Sequence, residues 1–272
     1  MLIYGKDIRE QIKERVCQTA VELKMGLAII RVGDDPSSLA YVRGICKFAE
    51  EAGVKAEIIN LPDTIAETEL LRIIADLNHN PEFTGIMLQT PFPASLNASR
   101  LVNAVDFDKD VEGIHNYNLG KLVSKEEGVR PCTPKAVISM LKAHNIPIEG
   151  QKVTIIGRSM TVGSPLALMM TAENATVTVC HTRSRNLKEE ALRADILVAA
   201  VGKREFITAD MVHKDMVVID VGINFDENGK MRGDVHEEAR NCCRIASAVP
   251  GGIGIITVAE LFDNLRILSQ RA

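Results

Sequence analysis

KVTIIGRSMTVGSPLALMM, residues 152–170, reads as a strand, a glycine-bounded turn and the start of a helix. Gly157 and Gly163 flank the turn with G-x5-G spacing, so the G-x-G-x-x-G fingerprint of dinucleotide-binding folds is absent. The physics behind that fingerprint still holds. Glycine lets backbone approach a phosphate closely, and N–H groups at a helix start face an anion. As a bare pattern the turn serves packing as readily as a phosphate. Its surroundings favour the phosphate. ATVTVCH (175–181), DILVAAVG (195–202) and MVVIDVG (216–222) are three further hydrophobic runs, with helical stretches between them. Four such runs predict a doubly wound, largely parallel sheet that binds a dinucleotide.

The second run ends in HTRSRN, with Arg183 and Arg185 and no acid before Glu189. NAD sites of this class place an acid there for the ribose hydroxyl. Arginines instead, with Arg158 in the first turn, point to a 2′-phosphate and hence to NADP, with NAD as the alternative. A solvated basic loop is the plain structural reading of the same residues.

Towards the N-terminus the alternation continues. GLAIIRVG (26–33), VKAEIINLP (54–62) and FTGIMLQTPFP (83–93) read as strands. SSLAYVRGICKFAEEAG (37–53) and ETELLRIIADLN (67–78) have helical apolar spacing. Residues 106–131 are rich in Asp, Gly and Asn and read as a domain connection. TPKAVISMLKAHN (133–145) predicts a helix capped by Thr133 with Pro134 at its first position. PGGIGIITVAELFDNLRIL (250–268) closes the chain as a glycine turn and a long apolar helix, which must bury its face, with the first domain as a candidate surface.

The expectation is an α/β chain of two domains. Residues 1–130 and 253–272 form one, and residues 131–252 form the dinucleotide-binding other. With 46% hydrophobic residues and a net charge of −4, the chain supports a packed core and offers no electrostatic case for nucleic acid or an anionic membrane. No apolar run approaches the roughly 20 residues of a membrane span. Six cysteines without metal-ligand spacing read as reduced thiols of a cytoplasmic protein, and no metal is expected.

Several motifs occur in unbroken order: S-x-x-Y in the helix after the first strand, LQTPFP (88–93), KDVEG (109–113), VRPCTP (129–134), GRSMTVGSP (157–165), VIDVGIN (218–224), GDV (233–235) and VPGGIGIIT (249–257). Together they resemble the bacterial methylenetetrahydrofolate dehydrogenase/cyclohydrolase family, FolD, over residues 1–270. That resemblance implies a homodimer of two-domain chains whose C-terminal helix completes the catalytic domain. It also implies oxidation of 5,10-methylene-tetrahydrofolate to the methenyl cation with a nicotinamide cofactor, and in most members hydrolysis to 10-formyl-tetrahydrofolate. By resemblance, Tyr41, Gln89 and Glu112 are the catalytic residues. Ser38, Ile45, Leu88, Thr90, Pro91, Pro250, Gly251, Gly252, Ile253 and Thr257 complete the substrate site. Gly157, Arg158, Ser159, Val162, Gly163, Pro165, Thr182, Arg183, Ser184 and Ile223 hold the cofactor.

Three positions depart from the family pattern. A lysine usually stands four residues after the helix tyrosine; this chain has Ile45. Four residues give about 40° of net rotation, so position 45 shares the Tyr41 face, whereas two more residues add about 200° and turn Lys47 away. Glu112 replaces the usual Asp, and Ile255 replaces a proline. Hydride loss is driven by the folate nitrogens and needs alignment rather than a base. Hydrolysis needs a positioned proton carrier, which Ile45 is not. The expectation is a dehydrogenase with weak or absent cyclohydrolase activity. The alternatives are the full bifunctional enzyme and a non-catalytic relative that binds folate or nucleotide.

Overall fold

A computed structural model describes residues 1–271, apart from the side chains of Pro36, Ser37, Ser38 and Ala40. The chain forms two compact units, one of Met1–Arg9 with Thr133–Thr257 and one of Glu10–Cys132 with Val258–Ala272. Both are α/β. In chain order, β1 (Leu2–Ile3) and α1 (Lys6–Glu22) come first. The catalytic-side unit continues with β2 (Gly26–Val32), α2 (Pro36–Ala52), β3 (Lys55–Leu61), α3 (Glu67–His79), β4 (Gly85–Gln89), α4 (Ala98–Val102) and α5 (Asn116–Ser124). The nucleotide-fold unit then runs through α6 (Cys132–Ala143), β5 (Lys152–Ile156), α7 (Gly163–Ala172), β6 (Thr176–Cys180), α8 (Leu187–Leu192), β7 (Ile196–Ala199) and β8 (Val217–Asp220). A small hairpin, β9 (Asn224–Phe225) and β10 (Met231–Arg232), follows, then α9 (Glu237–Cys242), β11 (Ile245–Ser247) and α10 (Ile253–Ser269).

In the catalytic-side unit three parallel strands lie in the order β3-β2-β4. Strand alternation sorts their residues. Ala28, Ile30 and Val32 of β2, with Ile86 and Leu88 of β4, pack on Leu70, Ile74 and Leu77 of α3 and Leu101 of α4. The opposite face is covered by the C-terminal helix: a β-carbon at Gly85 would lie 2.6 Å from Leu265 Cδ1 and 2.1 Å from Val111 Cγ1. Helix α2 joins that face through Phe48, whose ring stacks on Phe262 at 4.7 Å with a 22° tilt. Asn264 secures the arrangement, its Nδ2 donating to the carbonyls of Val111 and Arg130.

In the other unit six strands run β1-β11-β8-β7-β5-β6, and all neighbours pair in parallel. The order of strand addition reverses at β5: β6 lies on one side of it and β7 on the other, the switch point where open α/β sheets take ligands.

Three sequence expectations change. Residues 1–9 and 253–257 cluster with the nucleotide-fold unit, because β1 extends its sheet through β11. Residues 106–131 are no linker. Asp110, Val111 and Asn118 are buried, and α5 forms there behind a cap in which His115 Nδ1 accepts from Tyr117 N–H at 3.0 Å. Helix α6 starts at Cys132, so Thr133 lies inside its first turn instead of capping it.

Candidate active site

Of the residues expected to bind the substrate, Leu88, Gln89, Thr90 and Pro91 lie at or just past the carboxyl end of β4. Gln89, the last residue of β4, is 7% exposed. Its Nε2 donates to Thr90 O at 2.6 Å, while its Oε1 is buried with no hydrogen-bond partner among the described residues. Thr90 and Pro91 follow, exposed and joined by a cis peptide bond. Leu88 contributes backbone only, since its side chain packs in the α3 cluster.

Tyr41 of α2 is half-buried. Burial, then the neighbouring Cys132 and Glu112 charges, push its phenol well above the usual range. It is therefore neutral at working pH, an aromatic surface with a hydroxyl. One turn later Ile45 is completely buried, so the helix at that turn is core, and its place in a site rests on the resemblance. Arg43 and Lys47 are exposed. The Ser38 side chain lies outside the described residues.

Glu112 owes its place to KDVEG. Asp110, 5% exposed, accepts from Gly113 N–H at 3.0 Å, His115 N–H at 2.8 Å and Asn118 Nδ2 at 2.9 Å. Gly113 has φ +69°, and a β-carbon there would lie 2.4 Å from the Arg130 carbonyl carbon. This tight turn presents half-buried Glu112. Burial foremost, then the Asp110 charge, push its carboxyl up to about 8, against the pull of the Leu88 backbone N–H.

The nucleotide-fold unit carries the second set. Gly157 follows β5 with φ +130°, and a β-carbon would lie 2.1 Å from Ala200 O. At Gly163 it would lie 2.1 Å from Gly157 O. Both glycines are thus required by close backbone approach. Ser159 Oγ accepts from Val162 and Gly163 N–H at 3.1 and 3.4 Å, closing the turn. Residues 158–161 are exposed, whereas Pro165 packs inside the first turn of α7. After β6, Ser184 Oγ accepts from His181 N–H at 2.9 Å and His181 Nδ1 accepts from Arg183 N–H at 3.1 Å. That turn exposes Thr182, Arg183 and Arg185. A cradle that excludes β-carbons, at the switch point of the sheet and beside a basic turn, fits a dinucleotide phosphate chain bearing a 2′-phosphate.

Two buried carboxylates fix the next loops, and they explain VIDVGIN and GDV. Asp220 Oδ1 accepts from Gly222 and Asp234 N–H, and its Oδ2 accepts from Val235 N–H and from Arg240 Nη2 at 2.7 Å. Asp234 Oδ2 accepts from Val201 and Gly202 N–H at 2.6 and 2.8 Å, and Oδ1 from Asn224 Nδ2 at 2.9 Å. Burial still leaves the Asp220 carboxyl above its ordinary value. Ile223, half exposed at this loop, would touch a β-carbon on Gly254 at 3.4 Å. The loop at Ile223 and the PGGIG turn therefore adjoin. In that turn Pro250 is exposed behind a cis bond, and Gly251 has φ +94°. A β-carbon on Gly252 would meet Ala248 O at 2.2 Å. Ile253 is buried, and Thr257 turns its hydroxyl back to Ile253 O, so both serve the helix.

Sequence reasoning missed Asp110, Asp220 and Asp234. The three acids stand inside quoted motifs, one to three residues from a glycine, and Asp220, two before Gly222, makes an Asx-type turn. No group of His, Cys, Asp and Glu among the described residues could hold a metal ion, and no helix is long and apolar enough to cross a membrane.

Family models match both regions. Residues 3–112 match the tetrahydrofolate dehydrogenase/cyclohydrolase catalytic domain, and residues 131–272 match the NAD(P)-binding domain of the same enzymes. The chain is 88% identical over 272 residues, all of each chain, to "Bifunctional protein FolD 2" of Syntrophomonas wolfei. It superposes with TM-score 0.96 and 37% identity on the bifunctional FolD dehydrogenase/cyclohydrolase of Campylobacter jejuni, covering 100% and 99% of the two chains. The Trypanosoma brucei dehydrogenase-cyclohydrolase, solved with NADP cofactor and an inhibitor, gives TM-score 0.94 at 27% identity over 100% and 97%.

Proposed function

The chain belongs to the tetrahydrofolate dehydrogenase/cyclohydrolase family, and on that premise we propose that it oxidises 5,10-methylene-tetrahydrofolate with NADP+ and hydrolyses the methenyl product weakly. NADP+, when bound, supplies the hydride acceptor. The Gly157–Gly163 turn would hold its phosphates, and Arg158 and Arg183 its 2′-phosphate. The loop fixed by Asp220 and Asp234 would set Ile223 against the nicotinamide. Tyr41 would support the folate ring, and Glu112 would take its exocyclic amino group. Ionised, that acid accepts from the amino N–H; held near 8 in the free chain, it must lose a proton to do so.

The observation that carries the reading is the pair Gln89 and Ile45. The Gln89 acceptor is left without a partner, and the α2 position one turn past Tyr41 is a sealed hydrocarbon. Alignment for hydride loss survives this arrangement, but water has no proton carrier there. The test is cofactor reduction on adding methylene-tetrahydrofolate, followed by the fate of methenyl-tetrahydrofolate. Cofactor reduction with slow hydrolysis supports the proposal; enzyme-dependent hydrolysis as fast as hydride transfer refutes it. The name carried by the S. wolfei relative favours a second reading, a full bifunctional enzyme, and the same assay decides between them.

The proposed homodimer has a candidate surface in β3. It is the edge of its three-stranded sheet, with alternating partial exposure and Ile58 39% exposed. Unpaired edges of that kind template a second strand. Ile58→Lys should shift the species seen by analytical ultracentrifugation from dimer to monomer; an unchanged dimer argues against this edge. The cysteine reading supports a cytoplasmic setting.

A further inference from the structure

Arg31 stands outside every motif used above. It lies near the end of β2, is 6% exposed, and its register neighbours are Asn60 on β3 and Gln89 on β4. Because Ala28, Ile30 and Val32 face the α3 cluster, alternation sends Arg31, Asn60 and Gln89 to the opposite face together. Arg31 Nε donates to Asn60 Oδ1 at 3.0 Å and Nη2 to Asp34 Oδ1 at 2.6 Å. Nη1 is buried with no hydrogen-bond partner among the described residues, as is Oε1 of Gln89. Neighbouring strands thus hold an unused donor and an unused acceptor at the carboxyl end of a parallel sheet. Folded chains seldom leave buried polar atoms unpaired, and ligands of open α/β sheets bind at this end.

We propose that Arg31 is a substrate-binding residue: Nη1 donates to the pterin carbonyl oxygen while Gln89 Oε1 accepts from the adjoining ring N–H. This rests on the folate reading above and deepens it. A cyclic amide presents a C=O and an N–H side by side, the complement of the two orphaned atoms. A guanidinium offers donors and no acceptor, so Arg31 orients the ring and moves no proton. That fits a site that retains hydride transfer while hydrolysis fails.

The experiment compares wild type, Arg31→Met, Gln89→Leu and the double variant in steady-state dehydrogenase kinetics. A lost charge-assisted hydrogen bond predicts that Arg31→Met lowers kcat/KM for methylene-tetrahydrofolate by roughly tenfold to a hundredfold, mostly through KM. KM for NADP+ should stay within about twofold, and the double variant should lose clearly less than the product of the single losses. Unchanged folate kinetics, a loss shared equally by the NADP+ KM, or fully multiplicative losses would overturn the proposal. If Arg31→Met does not fold, Arg31→Lys keeps the charge but loses the fork, and its kcat/KM should still fall by at least about fivefold; no fall overturns the assignment. If wild type reduces no cofactor, the functional reading fails by itself. Titration of tetrahydrofolate into wild type and Arg31→Lys then still decides: weaker binding to the variant supports Arg31, and equal affinity overturns it.

Discussion

Ile45→Lys is the sharpest perturbation of this site. Position 45 is completely buried, so the change has two opposing consequences. Removing the isoleucine forfeits part of the roughly 1.5–3 kcal/mol its burial contributes. Burial of the new amine disfavours its charge and lowers its pKa by up to about 3–5 from about 10.4. That places the amine between about 5 and 7, where it exchanges protons at neutral pH. Keeping it neutral at pH 7, when the unfolded chain would protonate it, costs up to about 4–5 kcal/mol. The orphaned Gln89 acceptor offsets some of this if the amine reaches it. Against a stability of about 5–15 kcal/mol, the variant folds but melts early, and its deficit shrinks as pH rises towards 10. A positioned proton carrier contributes about 10²–10⁴ to rate. The assay is loss of methenyl-tetrahydrofolate absorbance in the cold, after circular dichroism has shown a folded chain. Hydrolysis should rise at least about a hundredfold, with hydride transfer changed by no more than a few-fold. A folded, folate-binding variant without that gain would refute the idea that the missing amine is what limits hydrolysis.

Three further outcomes follow from the geometry. With Glu112 held near 8, its acid form dominates below that pH in the free chain, so KM for methylene-tetrahydrofolate should fall about tenfold per pH unit from 6 towards 8 and then level. Glu112→Gln should flatten the profile, and an unaltered slope would reassign it to another group. Asp234→Asn keeps the size but loses a charged acceptor of two backbone N–H bonds; a loss of about 1.5–3 kcal/mol in urea unfolding should accompany a raised KM for NADP+. If stability drops while NADP+ KM stays put, Asp234 is a scaffold residue alone. Phe48→Ala removes one ring of the Phe48–Phe262 stack and should cost about 3–5 kcal/mol in chemical denaturation; under about 1 kcal/mol would show that the core collapses around it.

The alternation of hydrophobic runs and helical spacing was sufficient to read the two α/β units, because the strands from β2 to β8 are four to seven residues long and stand in longer hydrophobic runs. Strand β1 was invisible: two residues carry no period, and its partner β11 lies more than 240 positions away. Helix α5 was hidden by Asn and Gly, since its cap is a histidine and its support comes from buried Asp110 and Asn118. The helical rotation argument placed Ile45 below Tyr41 and turned Lys47 outward, but exposure is a tertiary property, and only the packed chain shows that position 45 is sealed. Arg31 was unreadable for a similar reason. Its partners lie 29 and 58 positions away on neighbouring strands, so a basic residue ending an apolar strand looks like an ordinary solvated terminus until the sheet is assembled.

The Asn264 amide that donates to the Val111 and Arg130 carbonyls spans 153 and 134 positions of sequence. The acid-bearing turn at Glu112 is therefore finished by a residue synthesised 153 positions after Val111. A nascent chain halted before residue 258 carries every catalytic-side motif and still lacks the clasp that steadies them. Folate capture should consequently appear only once Asn264 is free to fold back onto the turn, which stalled-chain binding measurements can time; capture by the halted chain would show that the turn stands without its clasp.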